Sequence, residues 1–394
     1  MSENNWLDPS VCQRFRDAVN ASPIFSNDEP YKHLYNVYCA VMDRVESAVG
    51  VLNDYYQAPE TEKDVIIFVA YAAMLKDAIY ALYEKVFRSK PSSVGESGIF
   101  NDIITTMSKI AMPNGSFTDD VFFEYFRSLV FAHPLNTTHR NGRDFMEKDE
   151  EHFSPWAISA KHSSLVQRTS TIGVRVYSDK FEESLEDVLV PFETLKIYVS
   201  KRYELLDYWT NYLQDCLHAK QNEWRQKPVV QSKDPVETLR NVSECLRDRY
   251  EDLCDEIDAL ISYLVCKNSL AENTNAVAEF RSMIIEQIPA ICECVNTFDN
   301  EALWDILMNI HVHPRHVDGV SYYQTEKILS GLRSDSDTAM PGTSADFGLI
   351  QAEEFAKGYA AKWVKILPRN MSFAEIRLLV CAANFLEWRE ESRS

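Results

Sequence analysis

An apolar residue recurs every three or four positions along most of this chain, and little interrupts the pattern. It is clearest at Leu34, Val37, Tyr38, Val41, Val45, Val49 and Leu52, the spacing of one face of an α-helix. Only 11 glycines and 15 prolines stand among 394 residues. A chain so poor in turn formers has few ways to reverse direction, so long helices are expected.

Local signals place the helices. Pro30, behind Asp28 and Glu29, suits a first helical turn. Thr61 is a cap for a second helix with Glu62 and Asp64 in its first turn, running to Arg88 and stopping before Pro91. A third helix is predicted over 98–111 and a fourth over 118–133, separated by the turn Met-Pro-Asn-Gly-Ser. These four predict a helical bundle over 1–135. Residues 135–165 lack periodicity and read as a long loop. Val166, Arg168, Ser170, Ile172, Val174 and Val176 alternate, and with Val188-Leu189-Val190 they predict a β-hairpin near 165–190. Residues 136–192 therefore form a connector. A second helical domain follows over 193–394, with helices near 272–295, 301–310, 322–332, 349–367 and 373–391, and a linker at 333–346. The fold class expected is all-α: two helical bundles with a small β-hairpin insertion.

Composition narrows the function. A net charge of −20 disfavours non-specific binding to nucleic acid or anionic membrane. Nine scattered cysteines without a CxxC pair read as reduced thiols of a cytoplasmic protein. The N-terminus has neither the basic start nor the apolar run of a signal peptide. The longest apolar run, 65–75, is too short to span a bilayer and reads as a core helix, so no membrane partner is expected. Glycine-rich phosphate loops, nucleophile elbows and kinase or dinucleotide fingerprints are missing, so no cofactor and no nucleotide are expected.

Against this background the stretch 122–143, FFEYFRSLVFAHPLNTTHRNGR, is unusual. Arg127 lies in a helix apolar on most sides, with Glu124 and Ser128 on the same stripe. A buried guanidinium keeps its proton and needs an anion. Glu124, Asp77 or Glu84 could supply it, and so could a phosphate. His133 precedes Pro134, where the helix must end. Tyr125 to Arg143 contains no carboxylate, and neither does 155–178, which holds Lys161, His162, Arg168 and Arg175. These windows form the one plausible polyanion groove in the first half.

The run Arg-Ser-Leu-Val-Phe-Ala-His resembles the signature of the HEPN superfamily, helical-bundle proteins that include metal-independent ribonucleases of bacterial toxin and defence systems. The resemblance covers about a third of the chain, and Ser128 stands where the family usually has Asn, Asp or His. It implies Arg127 neutralising a scissile phosphate, His133 acting as general acid or base on a ribose 2′-OH, and a homodimer that pairs two such motifs. Ser128, His139, Arg140 and Arg143 would hold the RNA substrate. The competing expectation is a non-catalytic helical interaction protein in which Arg127 forms a structural ion pair.

Two further clusters are legible. His311, His313 and His316 could ligate a metal, with Asp305 or Asp318 adding a carboxylate, or close a helix as a polar turn. Lys357, Lys362, Lys365 and Arg369 fall in an acid-free run that reads as a solvated helix or a docking surface for an acidic partner. The His-Pro turns at 133–134 and 313–314 also echo each other, as a duplicated bundle would.

Overall fold

The structure, a computed structural model, describes residues 5–107, 118–138, 146, 149–164, 170–180, 186–311, 319–333, 340 and 342–392. It is mostly helical with one small antiparallel sheet. The chain divides into two compact units, Met1–Ala219 and Lys220–Ser394. Residues 193–219, assigned by the sequence reading to the second helical domain, thus fall in the first unit.

Numbering the longer helices, the first unit holds α1 (Pro9–Asn20), α2 (Tyr35–Asn53), α3 (Glu62–Phe87), α4 (Asp119–Arg127), α5 (Phe192–Tyr203) and most of α6 (Leu205–Arg225). Asp8 caps α1 by accepting from the Ser10 N–H, with Pro9 in the first turn. Thr61 caps α3 through the Asp64 N–H, and Arg88 ends it in a left-handed conformation. α2 and α3 pack along their lengths. Among the described residues α3 is the one helix long and apolar enough to cross a bilayer, and half of its most apolar window is buried inside the unit. Val65, Phe68, Val69, Leu75, Ile79 and Leu82 are part of the core.

The predicted hairpin is part of a larger sheet: β1 (Thr137–Thr138), β2 (Glu151–Phe153), β3 (Ala157–Ile158), β4 (Thr171–Ser178) and β5 (Glu186–Pro191). β4 is its centre, pairing antiparallel with β2, β3 and β5, while β1 pairs with β2. Ile172 faces Val190 and Val174 faces Val188 across the β4–β5 ladder, all four buried. Gly173 is needed here, because a Cβ on it would lie 2.3 Å from the Val188 carbonyl oxygen. The expected loop 135–165 therefore contributes three strands. Each is two or three residues long, too short to show alternation; β2 and β3 are held by β4, and β1 by β2.

The second unit contains α7 (Pro235–Asp248), α8 (Cys254–Val265), α9 (Thr274–Thr297), α10 (Asn300–His311), α11 (Gly319–Gly331), α12 (Ser344–Lys357) and α13 (Phe373–Glu391). α13 is buried at every position from Leu378 to Leu386, as expected of a helix apolar on all sides. The helix expected over 349–367 stops at Lys357, and a single 3-10 turn follows at Tyr359–Lys362. Part of the expected linker instead opens α12, where Thr343 accepts from the Asp346 N–H.

Candidate functional site around Arg127

α4 starts at the Thr118 cap, whose hydroxyl accepts from the Val121 N–H, and its phenylalanines enter the core. Arg127 ends it. The next residues, Ser128–Ala132, form a π-helical turn closed by the His133 N–H on the Ser128 carbonyl at 2.8 Å. Five residues between arginine and histidine are thus wound more widely than an α-helix would wind them.

Arg127 is held by carboxylates. Its Nη1 donates to Asp77 Oδ2 at 2.7 Å and its Nη2 lies 2.9 Å from Glu124 Oε2. Lys76 completes the group, bonded to Glu124 and 3.3 Å from Asp77 Oδ1. The Lys76 side chain is 6% exposed and that of Arg127 26%. Two cations and two anions cancel, so the site presents no net positive field. The ammonium of Lys76 also sits over the Tyr80 and Phe123 rings.

The partners named from sequence thus include the right ones, Asp77 and Glu124; Glu84 is not among them. Ser128 is buried, its hydroxyl 2.9 Å from that of Thr137, which in turn donates to the His133 carbonyl at 2.8 Å. This chain ties the π turn to β1. The His133 residue is exposed. His139, Arg140, Arg143 and Arg168 lie outside the described residues. In the second acid-free window Arg175 forms a bidentate pair with Asp187, at 2.7 and 2.9 Å, while Lys161 and His162 are exposed. Arg127 and Arg175, unopposed within their own windows, are thus matched by acids outside them.

The opposite end of α4 carries a denser polar group that the sequence reading missed. Asp120 accepts from Tyr198 Oη at 2.7 Å, Tyr80 Oη at 2.8 Å and Arg202 Nε at 3.0 Å. Arg202 is 1% exposed and also reaches Glu96 and the Ser93 carbonyl, each at 3.3 Å. Burial opposes its charge, but the Asp120 carboxylate more than compensates, and its pKa is raised. Burial, then the same carboxylate, raises the Tyr198 phenol as well. A second buried chain links Tyr125 Oη to His152 Nδ1 (2.8 Å), and His152 Nε2 to Glu150 Oε1 (2.9 Å), which accepts from Ser178. Asp120 reads from sequence as an ordinary first-turn acid, and nothing distinguishes Arg202 from Lys201 beside it.

In the second unit His311 is buried at the end of α10. Its Nδ1 is 3.4 Å from Tyr263 Oη, and its Nε2 is 3.4 Å from Glu256 Oε2 without a hydrogen bond between them. Burial pulls its pKa down to about 4. His313 and His316 lie outside the described residues. Among the described residues no three potential ligands gather as a metal site. The basic run 357–369 is fully paired: Lys357 with Glu354, Lys362 with Glu390, Lys365 with Glu272 and Arg369 with Glu353. Comparison with protein-family models, curated proteins and solved structures gave no match for the chain.

Proposed function

We propose that this chain is a non-catalytic helical interaction protein in which Arg127 belongs to the scaffold. The observation that carries this reading is the capture of its guanidinium by Asp77 and Glu124. A phosphate reaches it only by displacing carboxylates that also neutralise the buried Lys76. The displaced acids would then stand beside the incoming anion and repel it. Large apolar side chains suited to protein contact stand exposed on α10, α11 and α12, among them Trp304, Tyr323, Phe347 and Ile350.

A second reading, HEPN-like and metal-independent RNA cleavage or binding by a homodimer, draws support from one observation. The π turn joins Arg127 to an exposed His133, and such turns concentrate at functional sites. Incubating the purified protein with total RNA, followed by gel electrophoresis, separates the two. The scaffold reading expects intact RNA with wild type and an earlier thermal melt for Arg127→Ala. Cleavage by wild type that disappears in both Arg127→Ala and His133→Ala would replace it with the second reading.

A further inference from the structure

A cleft of about 870 Å³ opens in the first unit between α1 and the end of α2. That volume suits a small organic ligand. Asn53 fixes one wall: its amide accepts from the Leu7 N–H at 3.0 Å and donates to the Leu7 carbonyl at 2.9 Å. Cys12 lines another part, with its Sγ 3.1 Å from Tyr203 Oη. Burial raises the Cys12 pKa, so the thiol brings no charge.

Gly50, which also lines the cleft, has no need to be glycine for the sake of the helix. It lies in the last turn of α2, and glycine is the poorest helix former after proline. Its backbone is not among the left-handed glycines, and a Cβ on it would meet no atom within 4 Å. Neither conformation nor close packing asks for it. What its missing side chain does is keep that part of the cleft open.

The charges of the lining define the ligand. They are Arg16, Glu46 and Asp54. Arg16 is already engaged, its Nη2 2.5 Å from Glu46 Oε2 and 3.2 Å from Asp43 Oδ1. The exposed Asp54 carboxylate has no hydrogen bond or ion pair among the described residues. Two residues further on, the Tyr56 ring is 62% exposed and stacks on no other ring among the described residues. Gln13 spends its amide nitrogen on Asp17 and keeps its oxygen. The free capacity of Asp54, Glu46 and Gln13 is thus for accepting hydrogen bonds, and the excess charge is negative. An uncommitted aromatic face beside unpaired acceptors suits a flat cation with several N–H donors, which is the chemistry of a guanidinium.

We propose that this cleft binds a small alkylguanidinium, its head group on the Asp54 carboxylate and the Tyr56 ring and its alkyl body over Gly50.

The test uses the full chain and isothermal titration calorimetry with n-butylguanidinium and its neutral isostere n-butylurea, carried into the millimolar range. The guanidinium is expected to saturate one site and to bind at least about tenfold more tightly than the urea. Asp54→Asn, at an exposed position, should melt as wild type does and weaken the guanidinium about tenfold or more. Gly50→Leu should melt at or above the wild-type temperature, since the helix gains a better former, and should abolish binding by filling the cleft. The proposal is overturned by equal binding of the cation and the urea, or by no saturable binding of the cation. Wild-type affinity in either variant would show attraction to the acidic surface at large and would also overturn it. So would a markedly lower melting temperature for Gly50→Leu, because the glycine would then serve the fold and not a ligand.

Discussion

The two ends of α4 handle charge in opposite ways. At the N-terminal end Asp120 and Arg202 are both removed from water, and every lone pair and proton that matters has a partner. At the C-terminal end Arg127 keeps a quarter of its side chain in solvent and shares Asp77 and Glu124 with Lys76. The first group is a closed network linking α4 to α5 and to the segment 93–96. The second is an open cluster linking α4 to α3. Desolvation separates them: a buried charge tolerates no missing partner, whereas a partly exposed one can fall back on water.

The sharpest way to break this contrast is Arg202→Met. The substitution leaves Asp120 buried with two tyrosine donors and no countercharge. A loss of about 3–5 kcal/mol is expected in urea unfolding. If the loss were below about 1 kcal/mol, the Asp120 end would behave like the exposed end, and the distinction would fail.

His311 sharpens it by a third route, since a buried base can also shed its proton. Its folded pKa of about 4 lies below the usual value of 6.5. Between these values the unfolded chain holds a proton that the folded chain does not. Stability is therefore full above pH about 6.5 and falls by on the order of 3 kcal/mol as pH drops toward about 4, with no further loss from this group below that. Glu256, Arg333, Arg377 and Tyr263 surround the imidazole and belong to the same balance. Comparing urea midpoints of wild type and His311→Gln from about pH 7 to about pH 4 isolates the effect. Parallel curves for the two proteins would remove His311 from the account.

Arg127→Ala comes next in size. Asp77 remains half exposed and Glu124 retains Lys76, so the expected loss is only about 1–2 kcal/mol, and less at high salt. A double-mutant cycle with Asp77→Ala should give a coupling of about 0.5–1 kcal/mol. A coupling as large as that between Arg202 and Asp120 would mean that the exposed end is as desolvated as the other.

How much of this was legible follows from the range of each signal. Periodicity and caps act within a few residues, so α2, α3, the Thr61 cap and the start of α4 at Thr118 were readable. Arg127 announced itself because an arginine among phenylalanines is locally odd, and Asp77 was reachable as an acid on the neighbouring long helix. Arg202 sits in Ser-Lys-Arg-Tyr-Glu, where its burial has no local mark; its partner is 82 positions away. The strands at Thr137, Glu151 and Ala157 failed for the same reason: β2 and β3 are defined by the distant β4, and β1 by β2.

The smallest expected effect belongs to His133, the residue that the HEPN resemblance makes most interesting. It is exposed, and the contacts that fix it run through its backbone: its N–H to Ser128 and its carbonyl from Thr137. Alanine keeps both groups. His133→Ala should therefore change stability by less than about 0.5 kcal/mol. A loss above about 1 kcal/mol would mean that the imidazole itself supports the π turn. A silent stability effect makes this variant the cleaner probe of chemistry than Arg127→Ala, because lost RNA cleavage could not then be blamed on unfolding.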